Sequence, residues 1–460
     1  MYNIGFVHNK LGKTDGVSLE IDKWKDVLEK MGHKVYYCAG NDDIEGIYTI
    51  PELSFAEPLT KKILHNATVK YEDYEDENKL KEDIFKQADK IKPELTKFIK
   101  KRDIDILIPN NLLSVGYNIP AMVALHDVIK EKQIPTISHN HDFYFEDSDE
   151  VHPTSDMVLN ILNKYSTPDY PWVKHLVINK IAQSELEKRT GIKAKIVPNV
   201  FDFSQKIWTK DQYNKDFRET VGINDNDLMF LQATRILDRK GIETAIELIA
   251  ELEKEENRQK LYGELYDGRE FRKEDNIVLV LSGYLESFGI SGSYYDNLVN
   301  KADRLGVNLI YAGNRVEHKR TKRDGQKIYS LWDSYVEADF VTYPSLWEGW
   351  GNQLIEAIFA KKPVVMFEYP VFQSDLKDDG FELVSLGNQI AGYDQNGLVK
   401  VPNENITQAV QEVISLLKDE VKREEIIQKN YKIAENNYSF EVLTDIIKEI
   451  LVDLKETTNI

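Results

Sequence analysis

The chain of 460 residues contains a single cysteine, Cys38, and it has neither an excess of positive charge nor long apolar runs. One cysteine cannot form an intramolecular disulfide, and its apolar surroundings at 35–39 favour a buried thiol. No stretch approaches the roughly 18 apolar residues that a membrane span requires, and the N-terminus lacks the basic region of a signal peptide. The sequence therefore predicts a cytoplasmic protein without stable membrane insertion.

The charge balance narrows the classes of binding partner. The chain has 59 lysines and arginines against 78 aspartates and glutamates, a formal net charge of −19. Nucleic acids and anionic membranes are bound through clustered positive charge, so this composition argues against both as partners. An anionic ligand must instead be met by a few well-placed residues. The length also exceeds what one hydrophobic core usually serves, which predicts two domains.

Short apolar runs alternate with longer segments of helical periodicity, the pattern of βαβ units around parallel sheets. Strands are predicted at 3–8, 34–39, 104–109, 136–139, 176–178 and 194–197, and then at 228–233, 277–281, 308–312, 340–342 and 363–367. The predicted fold class is α/β, with two doubly wound sheets in tandem. The polar segment 199–222 lacks either periodicity and is predicted as a linker between domains at 1–198 and 223–435.

The most informative segment is 342–357, in which an apolar strand is followed by a glycine-containing loop and a helix that begins near Gly351. Amides at a helix N-terminus favour an anion, and the glycines on both sides of Trp350 let a ligand approach the main chain. Glu348 lies in the loop, and Glu356 lies about one and a half turns into the helix. The two carboxylates can therefore flank one ligand at different depths.

A second strand-to-helix turn carries three cations, Arg235, Arg239 and Lys240, and ends at Gly241. It falls at the carboxyl edge of the second predicted sheet, where open α/β sheets bind ligands. A diphosphate fits this position, because Arg offers a planar fork and Lys a compact charge. Taken alone, the same residues are explained equally well by a solvated turn without a ligand.

Two further polar segments follow predicted strands of the first domain. The loop at 9–18 contains Gly16 in a strand-to-helix turn, which suggests a close approach to a ligand, while Asp15 could equally cap the helix. The loop does not have the GxGxxG pattern, so a nicotinamide dinucleotide site is not supported.

The second of these segments brings His139, His141 and Asp142 to the end of the strand predicted at 136–139. Their side chains could bond sugar hydroxyls. Two histidines two positions apart could also suggest a metal, but no further ligand pattern lies nearby, and no metal site is predicted.

Taken together, these segments resemble the retaining glycosyltransferases of family four (glycosyl transferases group 1) along nearly the whole chain. The spacing of Glu348 and Glu356 matches the family's glutamate–seven–glutamate signature, and Arg235 with Lys240 matches its donor-phosphate motif. The resemblance implies the GT-B architecture, in which two Rossmann-like domains face each other across a cleft. It also implies that a C-terminal helix at 436–460 crosses back to the N-terminal, acceptor-binding domain.

The activity that this resemblance implies is transfer of a hexosyl unit from a UDP- or GDP-sugar to a small soluble hydroxyl acceptor, such as a sugar or a glycosyl-glycerate. The anomeric configuration would be retained through front-face attack, with the donor diphosphate stabilised by Arg235 and Lys240. The partners would be the donor and this acceptor, with no cofactor and no metal. Assembly into a homo-oligomer stays open.

The resemblance also assigns residues to roles. Glu348, Arg235, Lys240 and His141 would be catalytic. The donor would contact Gly16, Arg235, Lys240, Asn314, Glu348, Gly351, Asn352, Gln353, Leu354 and Glu356, of which Glu356 would bond the ribose. The acceptor would contact His139, Asp142 and Asp15.

Two other functions stay open on the sequence alone: a disaccharide phosphorylase on the same fold, and a non-catalytic protein that binds nucleotide sugars. The joint presence of Arg235, Lys240, Glu348 and Glu356 argues against the second. The chain departs from the family's common pattern at Asn352 and Gln353, where Leu-Pro is frequent. The specificity for the donor sugar is therefore not determined by the motif.

Overall fold

The computed structural model describes residues 1–12, 16–41, 45–146, 151–285 and 291–458. The chain divides into two compact units: the first comprises Met1–Val200 together with Phe440–Ile460, and the second comprises Phe201–Ser439. Each unit is built around its own parallel sheet with helices on both faces. The predicted α/β class with two doubly wound, Rossmann-like sheets is confirmed.

The first unit has seven described strands in one sheet, in the order β3-β2-β1-β4-β5-β6-β7, and all of the neighbouring pairs are parallel. In chain order its elements are β1 (Asn3–Val7), α1 (Gly16–Lys30), β2 (Lys34–Ala39), β3 (Tyr48–Thr49), α2 (Pro58–Thr68), α3 (Glu77–Arg102), β4 (Ile106–Pro109), α4 (Ile119–Lys132), β5 (Thr136–Asn140), α5 (Asp156–Tyr165), β6 (Val173–Val177), α6 (Lys180–Thr190) and β7 (Lys195–Ile196).

Alternation along the central strands creates two cores. Ile106 and Ile108 of β4 belong to a core with Trp24 of α1, whereas Leu107 belongs to the core on the opposite face. Strands that are buried on both faces read as continuous apolar runs, which is why the sequence reveals them. The helix at the end of the chain, α15 (Phe440–Thr457), adds Leu443 to the core that contains Trp24.

The second unit has a six-stranded parallel sheet in the order β12-β11-β8-β16-β17-β18. Its elements are α7 (Phe217–Val221), β8 (Leu228–Gln232), α8 (Ile242–Leu252), α9 (Glu255–Leu261), β9 (Gly263–Glu264), β10 (Glu270–Phe271), β11 (Ile277–Leu281), α10 (Ser291–Leu305), β12 (Asn308–Tyr311), β13 (Val316–Glu317), β14 (Thr321–Arg323), β15 (Gln326–Ser330), α11 (Leu331–Glu337), β16 (Phe340–Tyr343), α12 (Asn352–Phe359), β17 (Val364–Met366), β18 (Val384–Ser385), β19 (Gly392–Tyr393), β20 (Val399–Lys400), α13 (Asn403–Lys418) and α14 (Glu420–Tyr438). The central position of β8 beside β16 brings together the loops that follow these two strands.

The segment predicted as a linker, 199–222, lies almost entirely within the second unit. Aromatic packing holds it there: the ring of Trp208 stacks on that of Trp332 with centroids 3.9 Å apart, and Phe201 lies 4.8 Å from Phe359. The sequence pattern did not predict this packing, because the aromatic residues of the segment are irregularly spaced. A search for periodic apolar patterns does not detect an irregular segment that packs through isolated rings.

Two expectations from composition can be compared with the structure. Cys38 is fully buried, so the predicted buried thiol is confirmed, and burial raises the pKa of this thiol. Among the helices of the described residues, none combines the length and the apolar character that a bilayer crossing demands.

Candidate active site

The loops at the carboxyl edge of the second sheet pack main chain against main chain. Gly241 has a φ of +57°, and a Cβ atom added there would lie 2.4 Å from the carbonyl oxygen of Pro344. A Cβ atom on Gly283, in the loop after β11, would lie 1.7 Å from the carbonyl oxygen of Thr234. Only glycine permits such approaches, so the β8–α8 turn is fixed between its two neighbouring loops.

This packing brings together the two motifs that the sequence singled out. The carboxylate of Glu348, in the loop after β16, accepts from Lys240 at Oε1 and from Arg239 Nη1 at Oε2, the latter over 3.0 Å. The side chains of Lys240 and Glu348 are only 7% and 12% exposed. Buried charges of this kind require partners on every side, which the two cations supply for the carboxylate.

The charges in this cluster respond to burial and to one another. Burial on its own would raise the pKa of Glu348, but Lys240 and Arg239 hold it at about 2. Burial lowers the pKa of Lys240, and the nearby charges of Arg239 and Arg235 lower it further. The attraction of Glu348 raises it but does not cancel these effects. Two cations therefore contact the carboxylate and a third, Arg235, lies close enough to Lys240 to lower its pKa, so these four groups together carry an excess positive charge that favours an additional anion.

Helix α12 starts beside this cluster, with no side chain capping its N-terminus at Gly351. The first amides of an α-helix have no partner within the helix, so this end also favours an anion. Gln353 does not point to open space, since its Nε2 donates to the carbonyl oxygen of Ala233 over 2.9 Å. Leu354 is fully buried, so only its main chain could contact a ligand. Glu356 accepts from the hydroxyl of Tyr335 at 3.4 Å.

The other predicted donor residues are less closely tied to the cluster. Asn314 is exposed in the loop after β12 and follows Gly313, where a Cβ would lie 2.6 Å from the carbonyl oxygen of Gly283. The guanidinium of the next residue, Arg315, donates to the carbonyl oxygen of Lys327 over 3.0 and 3.2 Å and is therefore engaged by the fold. Gly16 opens helix α1 of the first unit, and a Cβ there would have no protein atom within 4 Å.

A separate polar group lies at the carboxyl edge of the first sheet. The rings of His139 and His141 are 4.3 Å apart between centroids, and the ring of Trp24 lies 4.8 Å from His139. Both histidines are buried, yet neither ring nitrogen of His139 nor Nε2 of His141 has a hydrogen-bond partner among the described residues. Buried polar atoms in this state are normally satisfied by water or by a ligand.

Asp142 is held in place beside these histidines. Its carboxylate accepts from Asn111 Nδ2 over 2.9 Å, and Asn111 Oδ1 accepts from the main-chain amides of His141 and Asp142. The third predicted acceptor residue, Asp15, lies outside the described residues. The described residues contain no group of three or more metal-ligating side chains arranged to hold a metal ion.

Several residues near the two sheet edges were not among the predicted site residues. Asn110 and Asn111 directly follow the apolar run of β4. His139 was singled out as a polar residue at the end of an apolar strand, and the same criterion would have identified these two residues. Asn9 follows β1 in the same way, and its Oδ1, like that of Asn110, is buried without a hydrogen-bond partner among the described residues. The contact of Tyr335 with Glu356 has no signal in the sequence.

The buried histidines make the stability of the first unit depend on pH. Burial lowers the pKa of His139 to about 3, and burial together with the charges of His139, His8 and Lys23 keeps the pKa of His141 well below its usual value. The unfolded chain binds protons near pH 6.5 and the folded chain does not. We therefore expect the free energy of unfolding to fall as pH drops below about 6.5, by up to about 1.4 kcal/mol per pH unit for each histidine.

Urea denaturation at pH 7 and pH 5 measures this effect. The variant His139→Gln should lose less stability between the two pH values than the wild type. Lys132→Gln, at an exposed side chain of α4, is the control and should behave as the wild type does. Equal pH dependence in all three proteins would contradict the assignment of the effect to His139.

Comparisons with known proteins agree with this geometry. Residues 214–433 match the family model described as glycosyl transferases group 1. A mannosylglucosylglycerate synthase from Petrotoga mobilis is 39% identical over 417 residues, which cover 90% of this chain and 93% of that protein. A second one, from Thermotoga maritima, is 38% identical over 450 residues, covering 97% and 99%.

Solved structures share the fold at low sequence identity. A sucrose-phosphate synthase from Thermosynechococcus elongatus superposes with a TM-score of 0.62 at 14% identity over the full length of both chains. The Anabaena protein HepE, solved in complex with UDP and glucose, gives 0.58 at 15% identity over 98% of this chain and 100% of that chain.

Two Rossmann-like parallel-sheet units define a class, the GT-B fold that these glycosyltransferase structures share. Within that class the chain belongs to the glycosyl transferases group 1 family. The resemblance to family-four glycosyltransferases that the motifs indicated is confirmed.

Proposed function

We propose that the protein transfers a hexosyl unit from a nucleotide-diphosphate sugar to a small glycosyl-glycerate acceptor, with retention of the anomeric configuration. The observation that carries the donor half of this proposal is the contact of the buried Lys240 and the half-buried Arg239 with Glu348, beside the uncapped N-terminus of α12. The two relatives that are mannosylglucosylglycerate synthases support the acceptor half. Their name suggests mannose as the transferred sugar and glucosylglycerate as the acceptor.

The donor diphosphate would lie against Lys240 and Arg235, next to the first amides of α12. Lys240 is supported in this role by its burial and by the other cations around it, because a cation crowded by like charges gains most from an additional anion. Glu356 would bond the ribose, with Tyr335 fixing one of its oxygens. Glu348 would bond hydroxyls of the transferred sugar.

The acceptor would bind at the carboxyl edge of the first sheet. Asp142 is positioned by Asn111, and His139 and His141 carry buried ring nitrogens without partners among the described residues. A sugar acceptor presents hydroxyl groups that both donate and accept, so it can satisfy neutral imidazoles and a carboxylate at once. The low pKa of both histidines keeps the rings neutral for this purpose.

The proposed reaction is a front-face displacement. The bond from the anomeric carbon to the diphosphate oxygen breaks, the acceptor oxygen forms its bond on the same face, and the acceptor proton passes to the departing phosphate. The protein contributes positioning and the stabilisation of the charge that develops on the leaving group. Because side-chain cations supply this stabilisation, the proposed step requires no metal ion.

The proposal is tested by a thermal-shift screen with UDP, GDP, ADP and their glucose and mannose conjugates, since a ligand that binds only the folded protein raises its Tm. We expect one diphosphate and its sugar to raise Tm by several degrees. The donor found is then incubated with glucosylglycerate, and proton NMR of the product should show the same anomeric configuration as the donor. Absence of any shift at millimolar nucleotide, or an inverted product, would contradict the proposal.

A further inference from the structure

Arg239 and Lys240 are neighbours in sequence, but they hold Glu348 in different ways. Lys240 contacts Oε1 only. Arg239 contacts Oε2 through Nη1, and the same nitrogen donates to the carbonyl oxygen of Trp347 over 3.1 Å. Its guanidinium also lies 5.7 Å from the centre of the Trp347 ring, and its own carbonyl oxygen accepts from the amide of Leu346 over 2.9 Å.

These contacts indicate different roles for Arg239 and Lys240. Arg239 is attached to residues 346–348 at several points, through both its main chain and its side chain, so it moves with the loop that carries Glu348. Lys240 is a compact ammonium on a flexible stem and can change partners by rotating its side chain. A diphosphate carries more negative charge than a single carboxylate, so it would compete with Glu348 for Lys240.

We propose that Arg239 is a positioning residue. It keeps the Glu348 carboxylate charged and in place when Lys240 changes partner and binds the donor diphosphate. This inference rests on the proposed function, because it takes Lys240 to be a ligand of the diphosphate. It assigns to Arg239 a role that differs from those of Arg235 and Lys240: Arg239 acts on Glu348 and does not itself contact the donor.

The surroundings of Glu348 explain why such a residue is needed. The groups that face the carboxylate are Lys240 and Arg239 from the β8–α8 turn, Tyr343 from β16, the hydroxyl of Ser345 from the loop after β16 and Tyr369 from the loop after β17. Both tyrosines are buried, and burial and Glu348 raise the pKa of each, so they stay neutral. If Lys240 binds the donor and Arg239 is removed, neither of these cations lowers the pKa of Glu348, and burial then favours its protonated form.

The test is the pH profile of transfer by Arg239→Gln, with the donor identified by the thermal-shift screen and glucosylglycerate as acceptor. The profile of kcat/KM reports the free enzyme, and that of kcat reports the complex with bound substrate. We expect the acidic limb of kcat to move up by at least about one pH unit in the variant, and further than the acidic limb of kcat/KM. The difference arises because Lys240 still pairs with Glu348 in the free enzyme.

Controls separate this role from a general structural one. Arg239→Lys keeps the charge and should restore the wild-type profile, and Arg239→Met replaces the glutamine variant if that variant does not fold. Arg272→Gln removes an exposed arginine that pairs with Glu270 on the β9–β10 hairpin, and it should leave both profiles unchanged. Unchanged acidic limbs in both neutral variants at Arg239, in a protein that binds nucleotide, would overturn the inference. Absence of nucleotide binding by the wild type would instead overturn the proposed function.

Discussion

Replacing Lys240 with methionine should reduce kcat for sugar transfer by a factor of about 10²–10³, the usual loss when one preorganised group that stabilises developing charge is removed. Methionine keeps most of the length and apolar character of the side chain, so the change chiefly removes the charge. The affinity for UDP or GDP, measured by isothermal titration calorimetry, should fall as well, since Lys240 contributes to the cationic site before the reaction begins.

The control for this substitution is Lys254→Met. The exposed side chain of Lys254 pairs with Glu251 over 2.6 Å at the end of α8, and ion pairs made by an exposed lysine contribute little. Its kcat and nucleotide affinity should match those of the wild type. A Lys240→Met protein that folds, binds nucleotide and transfers sugar at the wild-type rate would remove Lys240 from the proposed mechanism.

Replacing Asp339 with alanine should lower the free energy of unfolding of the second unit by about 3–5 kcal/mol, the usual cost of breaking a buried ion pair by removing one partner. The side chain of Asp339 is 2% exposed and lies just before β16. It pairs with Arg269, accepts from the hydroxyl of Tyr266 over 2.8 Å and accepts from the amide of Met229 over 2.8 Å. The alanine variant would leave all three groups without this acceptor.

Urea denaturation followed by circular dichroism measures this loss. The proposed donor site lies in the second unit, so the transition that added nucleotide shifts is assigned to that unit, because a ligand stabilises the folded state that it binds. Asp445→Ala removes an exposed aspartate that pairs with Lys448 over 2.9 Å, and its stability should stay within about 0.5 kcal/mol of the wild type. A loss for Asp339→Ala no larger than that for Asp445→Ala would show that the fold does not depend on this carboxylate.

Prediction from sequence succeeded where the signal is local. The strands β8 and β16 are short apolar runs that can be recognised without knowing their neighbours, and the glycines and cations of the turns that follow them are adjacent in sequence. Parallel strands bring their carboxyl ends to one edge of a sheet. The joint position of the Lys240 turn and the Glu348 loop therefore followed from the fold class.

Prediction failed where the deciding contact is made by isolated side chains. The segment 199–222 was predicted as a linker because it lacks periodicity, yet Trp208 stacks on Trp332, which is distant in sequence. Likewise, the guanidinium of Arg315, next to the predicted donor residue Asn314, bonds the carbonyl oxygen of Lys327 and does not face open space. Both outcomes depend on the direction in which one side chain points, which a sequence pattern does not contain.

The sequence by itself determined the fold class, the two sheets and the turns that carry the cations and carboxylates, because apolar runs and glycine turns are encoded by consecutive residues. It also showed that an acidic chain must bind an anion with few residues. Only the tertiary structure decided that Arg239 and Lys240 share the carboxylate of Glu348 and that His139 and His141 are buried together. The physical reason is that burial and pairing set the charge of these groups, and both arise only when distant segments of the chain pack together.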